Sequence, residues 1–211
     1  MSVKFQSAGK VTMAHEAKDE SAQVDIQRPG SSTEAVLPNG QRIAMRLMDP
    51  SDREQILAFA RSLPPDDLLF LRTDITQPAI VDQWIVDLRC GNSVTVLVEA
   101  DSEIAGYATL HLEQARWTRR VGEIRVQVAL AFRGQGLGRL LTLEIFRVGQ
   151  SRGIKKMAAM MTPDQTGARA AFEKLGFQVE ALLQDWVVDR RGRPRDLLIM
   201  SHDLEGLGHH A

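Results

Sequence analysis

The sequence predicts a mixed α/β sheet, and three observations predict it. An apolar run, Val126-Gln127-Val128-Ala129-Leu130, feeds a glycine-rich loop and then a helical pattern, which makes one strand–loop–helix unit. Helical periodicity also clusters early in the chain. β-branched and apolar runs joined by short polar turns fill the rest, which is hairpin patterning. At 211 residues the chain can bury a full core, and one domain plus a tail is the natural count.

The elements follow in order. Residues 1–40 read as a disordered N-terminal tail, because they hold one aromatic, Phe5, and are otherwise rich in Ser, Ala, Gln and charge. Such a segment buries too little apolar surface to offset its ordering entropy, so its removal is expected to leave the melting temperature unchanged. The domain is placed at 41–206, with 207–211 as a C-terminal tail. Arg42–Met48 is a first strand. Asp49 is an N-cap with Pro50 at the first helical position, and Ser51–Leu63 follows as a helix stopped by Pro64-Pro65. Asp66–Arg72 and Pro78–Cys90 are two further helical pieces. Gly91-Asn92 turns into strand Ser93–Ala100, and Asp101-Ser102-Glu103 turns into strand Ile104–Glu113. Gly122–Leu130 is the central strand. Helix Gly138–Ser151 ends at Gly153, strand Lys156–Thr162 follows, and helix Gln165–Leu175 closes at Gly176. Phe177–Val188 and Arg195–Leu204 form a last hairpin around Arg190-Arg191-Gly192-Arg193-Pro194.

Composition excludes several function classes. A formal charge of −1 gives no sign of a nucleic-acid binder. The single cysteine, Cys90, rules out an intramolecular disulfide and a cysteine-built metal site, and no metal is expected. No apolar run reaches membrane-spanning length and no leader core is visible, so no membrane partner and a cytoplasmic location are expected, as a monomer or homodimer.

The loop after the central strand carries the chemistry. It reads Arg133-Gly134-Gln135-Gly136-Leu137-Gly138-Arg139, and the helical pattern starts at once. Strand, glycine loop, helix is the layout that sets bare backbone N–H groups and a helix N-terminus against a phosphate. Arg133 and Arg139 add positive charge at the rim. No Lys-Ser/Thr follows, which excludes a Walker loop. The third position of a dinucleotide fingerprint counted from Gly134 and Gly136 is Arg139, which excludes that motif too.

The spacing Arg133-x-x-Gly136-x-Gly138 resembles the acyl-CoA pyrophosphate loop, Arg/Gln-x-x-Gly-x-Gly/Ala, of the GNAT superfamily of N-acetyltransferases. A second segment, Gln165 to Phe177, resembles the family's later helix-turn, Asn-x-x-Ala-x-x-x-Tyr-Glu-Lys-x-Gly-Phe. Ala168, Glu173, Lys174, Gly176 and Phe177 match it; Gln165 replaces Asn and Phe172 replaces Tyr. The resemblance covers roughly residues 42–204. It implies a GNAT-like, mostly antiparallel twisted sheet with helices on both faces. It also implies acetyl-CoA as acyl donor and a primary amine, small molecule or protein, as acceptor. By the same resemblance, backbone amides of Val126, Gln127 and Val128 pair with the pantetheine arm, and one of them acts as an oxyanion donor.

Strand alternation places Glu123, Arg125 and Gln127 on one face of the central strand. A polar face is unusual on a strand covered from both sides. Glu123 stands where many relatives carry the carboxylate that takes the amine proton. The competing reading is an ion pair of Glu123 at the sheet end, with Arg125 or with a neighbouring strand. On the preceding strand, Tyr107, Thr109, His111 and Glu113 share a face, which makes His111 and Glu113 rival bases. A β-bulge, frequent in relatives, would change which of these side chains face the cleft. Relatives protonate the leaving thiolate with the tyrosine that Phe172 replaces, and phenylalanine has no proton to give. Either water or the attacking ammonium supplies that proton, or the chain is a non-catalytic acyl-CoA-binding regulatory module.

Overall fold

The computed structural model describes residues 31–204, without 70, 72 and 114. Eight strands form one sheet in the order β1-β2-β3-β4-β5-β6-β8-β7. They are β1 Ser32–Val36, β2 Arg42–Leu47, β3 Ser93–Ala100, β4 Glu103–Leu112, β5 Val121–Val128, β6 Lys156–Met161, β7 Gln178–Val188 and β8 Pro194–Asp203. Every neighbouring pair is antiparallel except β5 and β6. A parallel pair needs a long crossover, and the helix α4 (Leu137–Ser151) supplies it.

Helices cover both faces. On one face α4 buries Leu137, Leu141, Ile145 and Val148 against the even-numbered side chains of the central strands, such as Ala108, Leu110 and Ile124. The helix α5 (Thr166–Lys174) adds Ala168 and Phe172 to the rim of that core. On the other face, α1 (Arg53–Ser62) and α3 (Pro78–Cys90) pack Ile56, Phe59, Val81 and Trp84 on Leu97 and Tyr107. The short α2 (Pro65–Leu69) links those two helices. Asp49 caps a 3-10 turn at Pro50–Asp52: its side chain accepts from Ser51 N–H, and Asp52 accepts from Asp49 N–H at 2.8 Å.

The tail boundary at residue 40 needs correction. Ser32–Val36 is an edge strand in register with Arg42–Arg46 of β2, and Leu37 is buried in the α4-side core. Averaged composition hid a five-residue strand whose alternate residues turn inward. Residues 1–30, and the 207–211 segment at the other end, lie outside the described residues. Deleting residues 1–40 is now expected to destabilise the domain, because it bares the β2 edge and empties the Leu37 site. Burying one leucine contributes about 1.5–3 kcal/mol, or roughly 5 °C of melting temperature at this size. Calorimetry of the truncated chain checks this; an unchanged melting temperature would show that β1 contributes nothing.

Candidate active site

β5 runs out at Val128, a 3-10 turn spans Leu130–Phe132, and the glycine loop follows. Gly134 and Gly136 have φ of +74° and +84°, a region that side chains disfavour. A Cβ on either would meet nothing within 4 Å, so glycine is required by the backbone and the space beside it is open. Gly138 differs, since its added Cβ would only touch Val128 at 3.8 Å. Gly136 is the N-cap of α4 and offers no side-chain acceptor. The first helical bond there is Leu140 N–H to Gly136 C=O, so the N–H groups of Leu137, Gly138 and Arg139 lie ahead of the helical ladder. The Leu137 side chain is fully buried and anchors this end of the helix. Gln135 is tied down on both sides: its amide donates to Ala131 C=O at 2.8 Å and accepts from Asn39 at 2.7 Å.

The two rim arginines are not equivalent. Arg139 is exposed in the first turn of α4. Arg133 instead donates through Nε to the Val128 carbonyl at 3.0 Å and pairs with Asp67 of α2. It therefore joins α2 to the end of β5, a contact across 66 residues that no local pattern announces.

β5 and β6 separate beside this loop. Their ladder covers only Val121–Glu123 against Lys156–Ala158, although β5 continues to Val128 and β6 to Met161. On its other side β5 stays paired with β4 from Gly122 to Val128 in unbroken register, so no bulge alters which side chains of this stretch share a face. Ala129 N–H donates to Ala105 C=O at 2.9 Å. Counting back by twos, the 127:107 and 125:109 pairs exchange hydrogen bonds, and the backbone groups of residues 124, 126 and 128 turn toward β6. Val126 and Val128 thus present their amides to the opening. Gln127 does not: its amide pairs with Tyr107, which corrects the expectation that all three serve the pantetheine arm.

The polar face of β5 lies on the α1–α3 side. The Glu123 carboxylate and the Arg125 guanidinium are 2.5 Å apart, with side-chain exposures of 18% and 15%. Arg125 also donates to Met160 C=O at 2.8 Å, so it crosses the gap between β5 and β6. The ion-pair reading of these residues is therefore realised, on the face that borders two cavities. A cavity of about 470 Å³ under α3 is lined by Tyr107, His111, Glu113 and Arg125. A second, of about 630 Å³, is lined by Arg125, Met160 and the β7–β8 hairpin. Arg125 borders both. His111 lies directly opposite Glu123 in the β4–β5 register.

Tyr107 packs edge-on against Trp84 and Phe59, with ring centroids 5.2 and 5.7 Å away. Burial pushes its phenol well above the usual tyrosine range, so it stays protonated. Trp84 is core: its indole N–H donates to Thr95 at 3.1 Å, and Thr95 shares a hydrogen bond with Thr109. Phe172 is half-buried, with its ring edge-on to Phe177 at 4.8 Å, and belongs to the α4-side packing.

The glycine loop, the helix start and the gap in the sheet form one continuous arrangement. A model of the acetyltransferase (GNAT) family matches residues 54–177. The chain belongs to that family. It is 22% identical over 163 residues to the Bacillus subtilis (strain 168) protein named "Putative phosphinothricin acetyltransferase YwnH", a match that covers 77% of this chain and 99% of that protein. Among solved structures, it is similar to yncA of Salmonella typhimurium, determined with its cofactor acetyl-CoA. That likeness has a TM-score of 0.69 and 22% identity, over 80% of this chain and 96% of the other. It is also similar to the ribosomal-protein-alanine N-acetyltransferase of Brucella melitensis, with a TM-score of 0.67 and 22% identity over 75% and 98% of the two chains. The two solved structures share the fold of this chain. By its family membership the protein is an acyltransferase of the acetyltransferase (GNAT) family.

Proposed function

We propose that this acetyltransferase moves the acetyl group of acetyl-CoA to a primary amine held on the polar face of β5. The observation that carries the reading is the gap between β5 and β6, with the Val126 and Val128 amides turned into it beside the glycine loop. The N–H groups of Gly136, Leu137, Gly138 and Arg139 hold the diphosphate, and the helix start favours its charge. Val126 and Val128 align the pantetheine arm, and one of their N–H groups meets the thioester oxygen as negative charge develops there.

Glu123 takes the proton from the attacking nitrogen, directly or through a water, while Arg125 fixes its carboxylate. The new C–N bond forms as the C–S bond breaks, and the thiolate takes its proton from water or from the ammonium. Positioning and oxyanion stabilisation supply most of the acceleration in such a transfer, so a phenol at residue 172 is not required.

A thiol-release assay over a panel of amines tests the proposal. Acetyl-CoA-dependent release with at least one amine is expected. CoA binding without turnover on any amine would instead identify a regulatory acyl-CoA-binding module. A Phe172→Tyr variant adds one hydroxyl to a half-buried ring position. It is expected to fold, to keep CoA affinity and to turn over at the wild-type rate or faster in single-turnover transfer. A fall by orders of magnitude would show that residue 172 does not occupy the tyrosine position of relatives.

A further inference from the structure

The cavity between β5, β6 and the β7–β8 hairpin has a wall that the transfer chemistry alone does not explain. Five arginines line it: Arg125, Arg190, Arg191, Arg193 and Arg195. Four have carboxylate partners. Arg125 faces Glu123, Arg193 and Arg195 face Asp189 and Asp164 at 2.7 Å each, and Arg190 lies 3.9 Å from Asp66. Arg191 has no carboxylate partner among the described residues. Its backbone N–H donates to Asp189 at 2.8 Å, which fixes the turn and leaves the guanidinium of Arg191 exposed at the cavity wall. Among the described residues, then, one guanidinium at this wall is not in an ion pair, although Asp66, Asp164 and Asp189 line the cavity as partners of the others.

The same hairpin also gives the cavity a large apolar group. Trp186 lines the cavity with 67% of its surface exposed. The β7–β8 register explains why it is there. Leu183 pairs with Leu197 and Val187 with Arg195, so β7 spends four residues where β8 spends two. Within this bulge Asp185 adopts a φ of +50°, and its N–H is held by the Asp196 carboxylate at 3.0 Å. A bulge re-aims side chains, and a non-glycine residue with positive φ costs about 1–3 kcal/mol that the fold must offset elsewhere. Here the result is a large aromatic face presented to the cavity that Arg191 also lines.

We infer that the acceptor is amino-acid-like: a primary amine that also bears a carboxylate-class anion, received by Arg191, and an apolar side chain that covers Trp186. This rests on the amine-transfer reading above. The planar guanidinium suits a carboxylate bidentately, which sets the orientation of the acceptor as well as its affinity. With the anion at the hairpin, the amine is left toward Arg125, which lines this cavity, spans the gap to Met160 and pairs with Glu123.

Matched acceptors test the inference on the full chain. L-leucine, L-methionine and L-phenylalanine are each compared with the corresponding carboxamide and decarboxylated amine. The acids are expected to exceed their neutral counterparts in kcat/KM by roughly ten- to a hundredfold. Arg191→Gln should raise KM for the acids by a similar factor, leave kcat near wild type and leave the carboxamides unchanged, while Arg191→Lys keeps part of the preference. Trp186→Ala should raise KM for acids and carboxamides alike. CoA affinity, measured by calorimetry, should not move in any of these variants. Equal rates for acids and carboxamides would overturn the inference, and so would an Arg191→Gln protein that keeps the acid preference. A weakened CoA affinity in Arg191→Gln would assign that arginine to the cofactor's ribose phosphate instead. If no amine is acetylated at all, the transfer reading fails. Titration of leucine against leucinamide into CoA-bound protein then decides the anion by itself, and equal affinities overturn it.

Discussion

A Gly136→Asp variant is expected to lose about three to four orders of magnitude in acetyl-CoA affinity while remaining folded. The fold should tolerate it because a Cβ at this position meets nothing within 4 Å, and aspartate is among the residues that enter the left-handed region most readily. The binding loss has two sources. The φ of +84° costs a non-glycine residue about 1 kcal/mol, which loosens the loop. The larger effect is electrostatic: a carboxylate about 4 Å from a diphosphate at a partly screened surface costs about 4 kcal/mol. Gly136→Ala separates the two, because it carries the backbone strain without the charge and should weaken binding only about tenfold. Calorimetric titration with CoA reads both. An aspartate variant within threefold of wild type would place the diphosphate elsewhere.

That result would bear on the part of the site most legible in the sequence. Gly134 and Gly136 are visible because a strand followed by closely spaced glycines and a helical pattern has few other uses, and the positive φ values show that the backbone needs them. The polar face of β5 is legible for a similar reason: Glu123, Arg125 and Gln127 break the apolar pattern of a covered strand. Both signals are local. What escaped the sequence is long-range or small. The Arg133–Asp67 pair joins segments that only the fold brings together. The β1 strand is too short for composition to show. The choice of Val126 and Val128 over Gln127 depends on the phase of the β4–β5 ladder, which alternation of side chains alone does not set. The Asp185 bulge that aims Trp186 carries no glycine or proline to mark it. Sequence periodicity identifies faces; pairing phase and tertiary contacts decide which groups on a face reach the site.

Glu123→Gln is expected to lower acetyl transfer by roughly 10²–10⁴-fold, the usual loss when a general base is removed, with acetyl-CoA affinity almost unchanged. The ion pair with Arg125 makes this a demanding test, because the glutamate also has a structural role. Glutamine keeps one acceptor oxygen for the guanidinium, and Arg125 keeps its bond to Met160 C=O at 2.8 Å. The stability cost should therefore stay near 1–2 kcal/mol, a few degrees of melting temperature, and cannot account for a hundredfold loss in rate. Glu123→Asp retains a carboxylate and should recover part of the activity, which a purely structural role would not require. His111→Gln is the matched control, since His111 faces Glu123 across the β4–β5 ladder and lines the neighbouring cavity. It should cost less than tenfold if Glu123 is the base. Single-turnover transfer to the best acceptor, beside melting temperature and CoA affinity for each variant, decides among them. A Glu123→Gln rate within a few-fold of wild type would reduce the Glu123–Arg125 pair to a brace for the splayed strands. The proton would then pass to His111 or Glu113, both of which line the cavity that Arg125 borders.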